Sequence, residues 1–63
     1  MSWEQYEVWA TDEDGHDELV DTTKSLKEAR QLAKKAYNEG AVKTTIYLET
    51  ADGDYEVVDE QTR

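Results

Sequence analysis

One segment in the middle of the chain, residues 25–40, most constrains what the sequence can fold into, because it is the only stretch with a long helical pattern. Its apolar residues recur every three or four positions and form one stripe: Leu26, Ala29, Leu32, Ala33, Ala36 and Tyr37. Ser25 stands three residues before Glu28, the spacing of a reciprocal capping box. Gly40 supplies a left-handed residue at the other end. The pattern predicts one helix over about 26–39, with alanines that let it pack closely on a sheet.

The segments on either side of this helix alternate between apolar and polar residues, which is the period of a half-buried β-strand. Each segment contains an Asp-Gly pair, at 14–15 and at 52–53, that is typical of a tight hairpin turn. We therefore predict two hairpins, with strands over about 3–11, 18–22, 42–50 and 54–59. The last residues, 60–63, are expected to fray.

The predicted fold is α+β, with the order ββαββ: a four-stranded, mostly antiparallel sheet that carries one helix on one face. The 63 residues form one small domain, 1–63, with a small core. Two sheet orders satisfy the pattern. We favour order 2-1-3-4, since it puts the acidic last strand at an edge. Order 2-1-4-3 resembles, in length and element order, the immunoglobulin-binding domain of protein G, but no motif accompanies that resemblance and it implies no binding residue.

The face of the sheet away from the helix is the candidate contact surface. If each Asp-Gly pair is a two-residue loop, Trp9 faces Val20 and Tyr47 faces Val58 on that face, and carboxylates flank them. The predicted partner-binding residues are Trp9, Tyr47, Val20, Val58, Glu7, Glu49 and Glu56. Apolar residues with a polar rim are typical of a protein contact. The competing interpretation is cross-strand packing, at about 0.2–1 kcal/mol per pair. A longer turn in the first loop would shift this register.

The formal net charge is −9, and it is unevenly distributed. Residues 1–23 hold eight acids and no base, while residues 24–43 hold six bases and two acids. The overall negative field disfavours direct binding to nucleic acid or to an anionic membrane, and favours a basic protein partner. No apolar run is long enough to span a membrane, and a cytoplasmic protein is expected.

Sites for chemistry are not indicated by the sequence. The acidic loop does not match the EF-hand calcium motif. If Gly15 took the sixth position of that motif, Ala10, which has no ligand oxygen in its side chain, would take the first ligand position. Weak calcium binding by the acidic loop stays open. His16 is the only histidine and has no nucleophile placed beside it, and the chain has no cysteine. We therefore predict no catalytic residue, no metal site and no cofactor.

These observations together predict a small acidic protein without enzymatic activity. We expect a protein–protein interaction module that uses the open sheet face to bind a basic partner or a second copy of the chain. Two alternatives stay open. One is an acidic inhibitor or nucleic-acid mimic, of phage or plasmid type, that occupies a basic groove. The other is a designed sequence without an evolved function, since every element is locally consistent.

Overall fold

The protein is a four-stranded antiparallel sheet with one helix packed on it, in a computed structural model that describes residues 4–63. Its elements are β1 (Gln5–Thr11), β2 (Asp17–Thr23), α1 (Leu26–Asn38), β3 (Lys43–Glu49) and β4 (Tyr55–Thr62). The sheet order is β2-β1-β3-β4. This confirms the α+β fold and the favoured order 2-1-3-4, and it excludes the order that resembles protein G. The predicted start of the first strand at residue 3 lies outside the described residues.

The core lies between α1 and the two central strands. Val8 of β1 and Ile46 of β3 are paired across the strands, and both are buried against the helix. Ala29 and Ala33 are the buried residues of α1, and their short side chains let the helix backbone come close to the sheet. The helix backbone lies close to β1, β2 and β3, and α1 reaches β4 through Arg30, whose Nε lies 3.8 Å from Asp59 Oδ2. The core is therefore small and lies towards one side of the sheet.

The start of α1 is capped by Ser25 and Thr23. The Ser25 hydroxyl accepts a hydrogen bond from the Glu28 N–H at 3.3 Å, as the sequence predicts. The predicted return bond from the Glu28 carboxylate to the Ser25 N–H is wrong. That carboxylate accepts instead from the Thr23 hydroxyl at 2.8 Å, and the Ser25 N–H donates to the same hydroxyl at 3.2 Å. Thr23, at the end of β2, therefore links the strand to the helix.

The end of α1 is closed by Gly40 and Arg63. Gly40 has φ of +118°, and its N–H donates to the Tyr37 carbonyl at 3.2 Å. The Arg63 guanidinium donates to the carbonyls of Tyr37 and Ala41 and lies 4.3 Å from the centre of the Tyr37 ring. The prediction that residues 60–63 fray is wrong, because β4 extends to Thr62 and Arg63 is bonded to the helix end.

Both hairpins have three-residue loops, whereas two-residue loops were predicted. In the first loop the Gly15 N–H donates to the Asp12 carbonyl, and the Asp12 N–H donates to the His16 carbonyl, each at 3.0 Å. The equivalent bonds across residues 50–54 measure 3.0 and 2.9 Å. Gly15 and Gly53 have φ of +85° and +87°. A turn followed by a left-handed glycine is the usual three-residue hairpin loop. The predicted register is therefore wrong by one residue beside each loop.

Each edge strand compensates for its loop with a β-bulge. The register shifts once along the β1–β2 pair, at Val20, and once along the β3–β4 pair, at Val58. Neither valine has a partner on the neighbouring strand. Beyond each bulge the pairing returns to the register that a two-residue loop would produce.

The two hairpins are structural repeats of each other. Equivalent features are separated by the same interval along the chain: the loop glycines at 15 and 53, the bulges at 20 and 58, and the buried residues at 8 and 46. The bulge lies in the sequence Glu-Leu-Val-Asp at 18–21 and in Glu-Val-Val-Asp at 56–59. The same local solution is therefore used at both edges of the sheet.

Candidate protein-contact surface

The open face of the sheet, the side that α1 does not cover, has aromatic residues at its centre. Val8 and Ile46 point to the helix, so the next residues along β1 and β3, Trp9 and Tyr47, point away from it. The cross-strand neighbours on this face follow from the pairing: Trp9 with Leu19 and Thr45, Tyr47 with Glu7 and Val57, and Glu49 with Gln5 and Tyr55. Aromatic, aliphatic, polar and carboxylate side chains thus lie side by side on this face.

A shallow groove of about 330 Å³ crosses this open face. The side chains of Trp9, Tyr47 and Tyr55 line it, and Glu7 lies among them. Thr45, only 6% exposed, lies on the same face and forms the floor, because the larger residues around it cover it. The groove is therefore a place where aromatic rings and a carboxylate meet on an otherwise flat sheet.

Glu7 accepts a hydrogen bond from one aromatic residue and acts electrostatically on another. The Trp9 indole Nε1–H donates to Glu7 Oε1 at 3.0 Å. The pKa of the Tyr55 hydroxyl is raised above its usual 10.0, first by the negative charge of Glu49 and then by that of Glu7, with burial and a hydrogen bond to Glu7 adding to the effect. The raised pKa has the sign expected of a locally negative potential at this end of the groove.

The opposite end of the groove is lined by Asp17 and Lys43. Asp17 Oδ1 accepts a hydrogen bond from the Thr11 hydroxyl at 2.5 Å. Lys43 Nζ lies 3.7 Å from Glu60 Oε2 of β4, so the lysine forms a partly exposed ion pair with that strand. Along β1 and β3, Lys43 is four residue pairs away from Glu7. The groove thus has a carboxylate-rich end and an end where a lysine is already paired with an acid.

Four of the seven predicted contact residues lie on the open face. Trp9, Tyr47 and Glu7 line the groove, and Glu49 beside it accepts a hydrogen bond from Gln5 at 3.0 Å. These placements do not test binding, so the contact role of each residue stays a prediction.

The other three predicted contact residues are placed differently. Glu56 pairs with Leu48, and that row belongs to the helix side of the sheet, so the prediction that Glu56 lies on the open face is wrong. Val20 and Val58 are the bulge residues, so they do not pair with Trp9 and Tyr47 as predicted. The physical reason is the extra residue in each loop.

Leu19, Val57 and Tyr55 occupy the positions that the predicted register assigned to other residues. They are 45%, 56% and 55% exposed, respectively. A signal for the three-residue loop exists in the sequence, because Asp12 opens the first turn and aspartate favours that position in a type I turn. Asp12 Oδ1 accepts hydrogen bonds from the N–H groups of Asp14 and His16, each at 2.9 Å.

The acidic loop brings three potential metal ligands together. The ligand atoms of Asp12, Asp14 and His16 lie within 4.8 Å of one another, and all three residues are exposed. The bonds that close the turn explain this arrangement without an ion, since the Asp12 carboxylate binds the backbone of the other two residues. The pKa of Asp12 lies below its usual 3.8, chiefly because of the hydrogen bond from the His16 N–H. The loop is thus a turn that is stabilised by its own hydrogen bonds.

Known proteins provide no further guide to this surface. Comparisons with protein-family models, with curated proteins and with solved structures find no match to the chain. Within the described part of the chain, no helix is long and apolar enough to cross a bilayer. The geometry and charge of the open face therefore remain the guide to its role.

Proposed function

We propose that this protein is a non-enzymatic interaction module that binds a basic partner protein across the open face. The observation that supports the proposal is the groove lined by Trp9, Tyr47 and Tyr55, with the carboxylates of Glu7 and Glu49 beside it. Tryptophan and tyrosine anchors with a polar rim are typical of the residues that dominate binding energy in protein contacts. The proposed anchors are Trp9 and Tyr47, because both lie on the central strands.

Cross-strand packing alone does not account for the exposed apolar surface. Such packing stabilises a sheet by covering the side chains of neighbouring strands. Leu19, Tyr55 and Val57 leave about half of their surface in water, although each lies beside another residue of the same face. Covering that surface with a partner would contribute roughly 25 cal/mol per Å² of apolar area. This is the physical gain that a contact on this face offers.

Charge complementarity favours a basic partner over a second copy of the chain. A symmetric dimer through the open face would bring the Glu7, Glu49 and Asp17 carboxylates of two copies together, and each copy carries a formal net charge of −9. Like charges that face each other across an interface oppose association. A partner with lysine or arginine at its contact surface meets the same carboxylates with the opposite sign.

The groove also offers little to acid–base catalysis. One of its tyrosines, Tyr55, has a pKa raised further from neutrality, which makes its hydroxyl a poor proton donor or acceptor at pH 7. The groove is open to solvent along the sheet, whereas catalytic groups work best in an enclosed, desolvated site. These features support an interaction role.

Selection of binders from a display library of protein fragments tests the proposal. Recovered binders are measured against the unchanged protein, Trp9→Ser, Tyr47→Ser and the control Lys34→Ser, an exposed residue of α1. We expect the Trp9 and Tyr47 variants to lose about thirtyfold in affinity, the size of a hot-spot loss. The control should stay within about twofold, and circular dichroism should show that all variants fold.

Two other results of the same measurements would contradict the proposal. Binders whose affinity is unchanged by Trp9→Ser and falls steeply with salt concentration would support the acidic inhibitor or nucleic-acid mimic instead. Self-association in sedimentation that Trp9→Ser abolishes would assign the face to a second copy of the chain.

A further inference from the structure

We infer that the groove recognises one arginine side chain of the basic partner, with its guanidinium stacked on the groove aromatics and bonded to the Glu7 carboxylate. This inference rests on the proposed function, and it names the chemical group by which the partner is selected. It assigns Glu7 the role of the specificity-determining residue and Trp9, Tyr47 and Tyr55 the role of the stacking surface.

The aromatic rings provide the first part of the site. A cation is attracted to the face of an aromatic ring within about 6 Å of its centre, and arginine is the usual residue in such pairs. The chain already makes this contact on its other side, where the Arg63 guanidinium lies 4.3 Å from the Tyr37 ring centre. Within residues 4–63 that is the only cation–π contact, so the groove aromatics hold no cation of the chain itself.

The Glu7 carboxylate provides the second part. Trp9 Nε1–H donates to its Oε1 at 3.0 Å, and Tyr55 lines the groove beside the same carboxylate. A carboxylate has about four lone-pair positions, so the indole donor leaves acceptor capacity for further N–H groups. This donor also fixes the orientation of the carboxylate before a ligand arrives, which lowers the entropic cost of binding. Glu49 adds negative charge nearby.

The shape of the groove favours arginine over lysine. A guanidinium is planar and weakly hydrated, so it stacks on a ring while donating in its own plane to a carboxylate. A lysine ammonium is compact and strongly hydrated, and a shallow, open groove leaves much of that hydration in place. Lys43, the cation in the groove lining, is 3.7 Å from Glu60 and four residue pairs from Glu7 along the strands, so it does not occupy this position.

Nuclear magnetic resonance with three matched peptides tests the inference. Each capped peptide has five residues, with arginine, lysine or citrulline at the centre between two leucines. Citrulline keeps the planar shape and loses the charge. We expect the arginine peptide to shift the Trp9 Nε1–H and Glu7 signals saturably. The lysine peptide should bind about threefold more weakly than the arginine peptide, and the citrulline peptide about tenfold more weakly.

Variants of the protein separate the site from general attraction to an acidic surface. Glu7→Gln removes one negative charge from the groove, and Glu13→Gln removes one from the exposed first loop as a matched control. We expect Glu7→Gln to weaken arginine-peptide binding by about five- to tenfold, and Glu13→Gln to change it by less than twofold. Equal losses in the two variants, equal binding of the citrulline peptide, or shifts confined to residues 12–17 would each overturn the inference.

Failure of this inference and failure of the proposed function give different results. If library binders need Trp9 but bind equally well after their arginines are replaced, the contact function stands and the arginine site is wrong. If the arginine peptide binds at Glu7 while the library binders ignore Trp9→Ser, the arginine site stands and the proposed partner contact is wrong.

Discussion

Replacing Ile46 by valine should measure how much of the stability depends on the small core. Ile46 is 2% exposed and lies among Val8, Ala29 and Ala33, so the variant removes one fully buried methylene. The transfer term is about 0.8 kcal/mol, and the space left behind brings the loss to about 1.2 kcal/mol. Domains of this size are rarely stabilised by more than about 3–5 kcal/mol, so the loss is a quarter or more of the total.

Urea unfolding followed by far-ultraviolet circular dichroism measures this loss. The slope of the free energy of unfolding against urea concentration should be unchanged, which shows that the native state is intact. The midpoint of thermal unfolding should fall by about 5–10 °C. Leu19→Val is the matched control, because it removes one methylene from a residue that is 45% exposed, and it should change the free energy of unfolding by less than about 0.5 kcal/mol. Equal losses in the two variants would refute the assignment of the core.

Three further predictions concern the loops and the chain end. Gly53→Ala should destabilise the protein by about 1–2 kcal/mol in urea unfolding, because φ is +87° and, apart from the two adjacent residues, no atom of residues 4–63 lies within 4 Å of the added carbon, so the cost is conformational; Gly53→Asn should cost less, and equal costs would contradict this reasoning. Arg63→Ala should cost about 0.5–1 kcal/mol in urea unfolding through loss of the contacts with Tyr37 and Ala41, and Arg63→Lys should recover part of it. The Asp12 carboxyl should titrate below 3.8 by nuclear magnetic resonance, because the His16 N–H stabilises the charged form. Its contribution to stability is therefore present above pH 3.8 and lost as pH falls through the lower folded value, and Asp12→Asn should remove this acid dependence; a midpoint at or above 3.8 would contradict the loop geometry.

The helix and the sheet order could be predicted because their signals are local. Ser25 and Gly40 mark the two ends of α1 by side-chain chemistry and backbone freedom, and the structure places them there. The acidic residues of the last strand favour an edge position, and β4 is an edge strand. The return bond of Glu28 could not be predicted, because its competitor Thr23 is brought into reach only when β2 ends beside the helix.

The register of the edge strands could not be predicted from the Asp-Gly pairs. A two-residue turn of the Asn-Gly type needs positive φ at both residues. Within the described residues only glycines have positive φ, so Asp14 and Asp52 belong to longer loops. The sequence allows either loop, and the choice decides which residues share a face.

The predicted contact residues divide along the same line. Trp9 and Tyr47 are on the central strands, which pair with each other without a shift, so simple alternation places them correctly. Val20, Val58 and Glu56 are on the edge strands, where one extra loop residue and one bulge change the pairing. Predicting Leu19, Val57 and Tyr55 in their place requires the loop conformation itself.

The paired bulges also bear on how concentrated solutions of this protein behave. An uninterrupted outer strand exposes a regular row of backbone donors and acceptors, on which another molecule can add a strand and begin a fibril. Here both outer strands are broken near their middle, at Val20 and Val58, and acidic side chains follow each break at Asp21 and Asp59. Edge-to-edge pairing of two copies is therefore hindered by the bulges and by repulsion between the carboxylates. This protects a domain with few buried residues from polymerising when it partly unfolds.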